Sequence, residues 1–296
     1  MVRDILHPPA GTNYKGLTIF LSAWSFFVLI PIAGLFLWSF LTMENFRPVW
    51  NLSLQAYREV LSSGRWQVAY RTLGTASLVT LVEVVLAFPF ALWLAKGTRK
   101  TGVKITVLAL LTIPFFLSLS ARTIGWRSLL GLHGPINYSL MASGITDSPL
   151  DWLLFSQFAV VLGLLGPYFP TMVFPLYLSI GLIDDEILAA SKDLGATPKD
   201  TLLYVILPLA FPGLGAGIIF TFIPMIGDSV IPTLLGGGHV ILLSSSVESL
   251  LRILNYSVAA SLSVVMLMLM TLMIMAVSYV SVIVIRRKGN PLGEIR

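Results

Sequence analysis

Two acidic residues stand inside stretches that are otherwise apolar: Glu83 in "LVTLVEVVLAFPF" and Asp228 in "FIPMIGDSVIP". Placing a carboxylate at the centre of a bilayer costs about 2.5–3.5 kcal/mol, so such a group faces a bundle interior or a solute path. In a low-dielectric site it attracts cations strongly. Trp126, Tyr168 and Phe222 could add cation–π contacts to a bound cation. Trp and Tyr are also ordinary anchors at membrane interfaces, which accounts for most of the seven tryptophans. The chemistry these residues suggest is the holding and passing of a cation. The competing readings are a polar partner for a neighbouring group or, for Glu83, a buried hydrogen bond or a protonated acid.

Other chemistries lack their residues. The chain has no cysteine, which excludes disulfides, thiolate metal sites and thiol nucleophiles. His7, His133 and His239 are scattered without ligand-like spacing, so no metal site is expected. No phosphate loop of the form G-x-x-x-x-G-K-[ST] occurs, so ATP hydrolysis is not expected on this chain, and no Ser/His/Asp arrangement stands out, so the chain is not expected to be an enzyme. "GLGAG" (213–217) lacks the third glycine of a dinucleotide motif and lies in an apolar segment, where small residues let helices pack closely. The methionines of "VVMLMLMTLMIM" (264–275) do not share one helical face, and packing explains them.

The elements that must carry these residues follow from composition. Of 296 residues, 56% are hydrophobic and only 11% charged, with mean hydropathy +0.88. A soluble domain needs more charge to cover its surface, so the pattern indicates an all-α polytopic membrane protein. A spanning helix needs about 20 apolar residues. Six segments qualify: 17–42, 68–95, 103–121, 153–182, 205–235 and 258–285. The first is much longer than a signal-peptide core and has no small-residue cleavage site after it, so it is expected to stay as a first transmembrane helix. In such a chain the net charge of +5 reports orientation rather than nucleic-acid binding. "KGTRKTGVK" (96–104) and "IRRKG" (285–289) are basic with no acid nearby, which places them inside. Both termini are then cytoplasmic. The expected organisation is a cytoplasmic segment 1–16, a membrane domain 17–288 and a cytoplasmic tail 289–296.

On that topology "DDEILAASKDLGATPKDTLLYVILPLAFPG" (184–213) faces the cytoplasm. Asp184, Asp185 and Glu186 suit the positive end of a helix dipole. Gly195 falls where a helix ends, since it takes the left-handed conformation without a side-chain clash. Thr197-Pro198-Lys199-Asp200 reads as a new start, with a capping Thr, Pro at the first helical position and Asp at the box position. The stretch predicts helix, glycine turn, helix over 184–204, with the second helix entering the membrane and bending at Pro208 and Pro212.

The string "AASKDLGA" followed by "VILPLAFPG" resembles the EAA loop of ABC-importer permeases, whose pattern is Glu-Ala-Ala, three residues, Gly, nine residues, Ile, one residue, Leu-Pro. Ala190 and Ser191 stand at the two Ala positions, Gly195 at the glycine, Val205 at the isoleucine and Leu207-Pro208 at the Leu-Pro. Ala189 occupies the place of the family's glutamate, so that carboxylate is absent or is supplied by Asp184, Asp185, Glu186 or Asp193. Segments 110–137, 155–184 and 222–238 are similar to the spermidine/putrescine branch of these permeases. The resemblance implies the MetI-like six-helix membrane fold and a cytoplasmic hairpin, Ala196 and Pro208 included, that docks on a separate ATPase. It also implies a path region around Asp228. The implied partners are an ATPase dimer holding the ATP and Mg, a second homologous permease, an extracytoplasmic solute-binding protein and the lipid of a bacterial inner membrane. The solute would be a small organic cation or another polar compound. An ion-coupled secondary carrier is the rival from another class. It predicts inverted repeats, which are not apparent, and it leaves the hairpin without a task.

Overall fold

The computed structural model describes residues 14–44 and 47–288. The expectations for 1–13 and 289–296 lie outside the described residues. The fold is a helical bundle with one short hairpin, β1 (Thr42–Glu44) paired antiparallel to β2 (Arg47–Val49). Among the described residues, five stretches are long and apolar enough to cross a membrane alone. They are α1 (Tyr14–Ser39), α3 (Arg65–Leu92, extended to Gly97), α7 (Gln157–Gly181), the run Pro198–Gly227, and α13 (Tyr256–Lys288). One further helix pair is apolar enough to cross only if taken together, as a broken span or a re-entrant loop. α4 (Thr101–Phe116) gives way to α5 (Leu119–Leu130) and α6 (Pro135–Ala142) through a bend of 97°.

That break corrects the expectation of one span over 103–121. Leu117 and Ser118 take extended backbone, and the Ser118 hydroxyl accepts from the Ala121 amide at 3.2 Å, which starts a new helix. The fifth predicted span, 205–235, also stops early. Its helix ends at Gly227, Asp228 is extended, and α11 (Val230–Gly236) begins beyond it. The shorter α2 (Gln55–Ser62) and α12 (Leu243–Arg252) pack against α13.

The bundle centre is the meeting of α3, α7 and the helix Leu207–Gly227, α10. Glycines set how close α10 comes. A Cβ on Gly213 would lie 2.3 Å from the Ser179 Cβ and 2.6 Å from the Pro175 carbonyl, and one on Gly217 would lie 2.8 Å from the Met172 sulfur. This is the packing role expected of "GLGAG". Met266, Met270 and Met273 pack into the same core, while Met268 and Met275 are exposed.

Candidate functional site

The hairpin is built as its residue types dictate. α8 spans Asp185–Asp193, with Asp185 and Glu186 in its first turn and Asp184 at the N-cap, where its side chain makes no capping bond. Gly195 has φ +82°. The Gly195 amide donates to Lys192 O at 2.8 Å and the Ala196 amide to Ser191 O at 3.1 Å, the two bonds of a Schellman stop. α9 (Pro198–Asp200) then starts under a full capping box: Asp200 N donates to Thr197 Oγ1 at 3.2 Å, and Thr197 N to Asp200 Oδ2 at 3.1 Å. The chain continues through a π turn, Thr201–Ile206, into α10. The wider turn makes room for Pro208, whose ring would otherwise meet the carbonyl of Tyr204. The helix therefore stays continuous there and does not stop.

One contact braces the hairpin internally and another fixes it to the bundle. Ser191 is buried, and its hydroxyl lies 3.0 Å from that of Thr201, joining the two arms. At the base, the Lys96 ammonium donates to Ile183 O at 2.5 Å and to Asp185 Oδ1 at 2.7 Å. That ammonium holds the Asp185 carboxyl below the usual aspartate range, with Arg99 and Lys104 adding to the effect. Ala189, Ala190, Asp193 and Leu194 stay exposed, Leu194 at 88%, so the hairpin presents a free outer face. Lys96 read in the sequence only as an orientation charge, because its partner lies 89 residues away.

The second group lies within the bundle. Glu83 on α3 is fully buried, and among the described residues neither carboxyl oxygen has a hydrogen-bond partner. The Thr221 hydroxyl is its polar neighbour, but the contact falls short of hydrogen-bonding geometry. Thr221 is itself paired with Thr171 at 3.1 Å. Asp228 is 5% exposed and sits at the break after α10. Its Oδ1 accepts from the amides of Val230 (2.8 Å) and Ile231 (3.2 Å), and its Oδ2 from the Tyr168 hydroxyl at 3.2 Å. Its own carbonyl accepts from the Ser244 hydroxyl of α12. The structure thus brings Glu83, Tyr168 and Asp228 to one junction.

The two other expected path residues pack in the same apolar cluster as Tyr168. Phe222 is 2% exposed in the apolar core. Trp126 packs at the core edge beside Gly166. Sequence reasoning missed Arg122. It is half-buried on α5, within electrostatic range of Tyr168 and Asp228, and its Nε has no hydrogen-bond partner among the described residues. Its place just after the helix break was the only available signal.

A bundle of apolar helices with a sealed polar junction inside and a capped hairpin at one end defines a membrane permease. Comparison makes the class specific. Residues 78–289 match the family described as binding-protein-dependent transport system inner membrane component, and the chain belongs to it. It is 32% identical over 251 residues to the spermidine/putrescine transport system permease protein PotB of Escherichia coli strain K12, covering 84% of this chain and 90% of that one. It is 31% identical over 252 residues to the protein of the same name from Haemophilus influenzae, covering 84% and 87%. Its fold superposes on a chain of a bacterial alginate ABC transporter, solved in complex with an alginate pentasaccharide-bound periplasmic protein. That match has TM-score 0.72 at 14% identity and covers 90% of this chain and 93% of that one. The chain is a multi-pass inner-membrane permease subunit of an ABC importer, a transport component and not a catalytic one.

Proposed function

We propose that this permease carries a small organic cation of the polyamine type, and that the enclosed pair Glu83 and Asp228 lies on its route. The carrying observation is that two acids 145 positions apart in sequence share one junction of α3, α7 and α10 with Tyr168. The PotB relatives, named for spermidine and putrescine, point to the same solute class. Both carboxylates are sealed here, so a route past them has to open when the surrounding helices part.

The inferred drive is a partner ATPase dimer that binds ATP and Mg and grips the outer face of α8 around Ala189, Ala190 and Gly195. Closure of that dimer would move the hairpins of this chain and of a second permease together. α10, continuous with the hairpin, would transmit the movement to Asp228. A solute-binding protein would deliver the cation from outside. Alternating access of this kind needs no covalent chemistry on this chain.

The test is reconstitution of the purified complex. An ATPase should copurify, and labelled spermidine or putrescine should enter vesicles only with ATP inside. Uptake that persists without ATP while an ion gradient is held would reject the importer drive. ATP-dependent uptake of a neutral solute, with no competition from polyamines, would reject the cation.

A further inference from the structure

A cleft of about 860 Å³ lies between α8 and the loop joining α3 to α4. Among the described residues, Lys96, Arg99, Lys104 and Lys192 line it against Asp185 and Asp193. Asp185 is already paired with Lys96 at 2.7 Å. Arg99, Lys104 and Lys192 are then left facing one remaining acid. Ala189 puts only a methyl group into the same wall. The cleft is thus net positive, and its cations are drawn from the end of α3, the loop after it, α4 and α8.

Its position narrows what could neutralise it. The cleft sits where α3 ends, α4 begins and α7 ends, at the boundary between apolar helices and the polar hairpin. Large apolar side chains stand exposed around these helix ends: Trp93 at 45%, Leu178 at 63% and Leu182 at 84%. A soluble anion would use the cations and leave these side chains bare. An amphiphile uses both, with its charged head among the cations and its acyl chains along the apolar helix ends. Basic pockets at the cytoplasmic ends of membrane helices meet a leaflet that carries such lipids.

We propose that this cleft is a binding site for the phosphate headgroup of an anionic phospholipid of the inner leaflet. Arg99 and Lys192 are its exposed donors, and the recessed Lys96 and Lys104 form its floor. Because α8 forms one wall, a bound headgroup would tie the hairpin to the membrane surface. The site does not depend on which solute crosses.

The experiment uses the full chain, in whatever complex it is extracted with, in nanodiscs of phosphatidylcholine with increasing phosphatidylglycerol. Retained lipid is read by native mass spectrometry and Tm by scanning fluorimetry. Wild type should retain phosphatidylglycerol and melt higher as its share rises. Arg99→Gln/Lys192→Gln should need about tenfold more phosphatidylglycerol for the same response. Lys100→Gln, exposed in the same loop but outside the cleft, should respond as wild type. The proposal is overturned if the double variant keeps the full response or if Lys100→Gln loses as much. It is equally overturned if inorganic phosphate in pure phosphatidylcholine discs gives the same shift.

Discussion

Asp228 combines a charge and a helix cap on one side chain, and substitution can separate them. Asparagine keeps an acceptor for the Val230 and Ile231 amides and is itself a good N-cap residue, while it removes the negative charge. Asp228→Asn should therefore leave expression and Tm near wild type and lower uptake of a cationic solute about tenfold or more. Asp228→Ala should show the same transport loss plus about 1 kcal/mol of destabilisation from the lost cap. Equal uptake by wild type and Asp228→Asn would make this carboxylate a cap and nothing more. At this scale the sequence was legible only where a residue type clashed with its surroundings. An acid in an apolar run announces itself, which is how Glu83 and Asp228 stood out. Thr171, Thr221 and Arg122 did not, because threonine is ordinary in a membrane helix and Arg122 stands at an edge that hydropathy cannot place. Phe222 could be named by type but not placed, because aromatic type says nothing about which way a ring faces.

The hairpin is an element whose geometry rests on few residues. Gly195 at φ +82° strains any side chain, so Gly195→Ala should cost about 1–2 kcal/mol locally. Gly195→Pro removes the amide that bonds Lys192 O as well, and uptake should then be lost while membrane insertion persists. Normal uptake by that variant would show that the turn transmits nothing. At its base, the Lys96–Asp185 pair ties α8 to the end of α3. Asp185 has a depressed value when folded, so the pair is complete above the ordinary aspartate value of 3.8 and fades only as pH falls through the lowered one. Coupling of ATP use to uptake should therefore be flat between about pH 5 and 8. Lys96→Asp should uncouple hydrolysis from uptake, and Lys96→Asp/Asp185→Lys should restore part of the coupling. An uptake-to-hydrolysis ratio unchanged in the single variant would dismiss the tie. The hairpin was the most legible element, because stop, turn and restart are each written by local residues: Gly195, then Thr197, Pro198 and Asp200. Lys96 escaped because four helices, α4 to α7, lie between it and its partner in the sequence.

For the whole molecule, the helices sort the connecting segments to two ends. The α3–α4 loop and the α7–α9 hairpin share one end, since Lys96 reaches both Ile183 and Asp185. Leu132, Asp151, Phe155 and His239 line one pocket and so gather the segments after α5, before α7 and after α11 at the other. The apolar runs made the number of crossings legible apart from the broken α4–α5 pair, whose bend is written by a serine cap and not by hydropathy. Basic residues predict which end is inside, and the absence of cysteine makes that prediction directly testable. Leu194 is 88% exposed at the hairpin end and Ile145 is 69% exposed in the segment between α6 and α7. In intact spheroplasts a membrane-impermeant maleimide should label Ile145→Cys and leave Leu194→Cys unmodified. Permeabilising the membrane should make both react to a similar extent. Labelling of Leu194→Cys from outside in sealed cells would invert the molecule, put the hairpin beyond the reach of any ATP-consuming partner, and remove the mechanical basis of the importer drive.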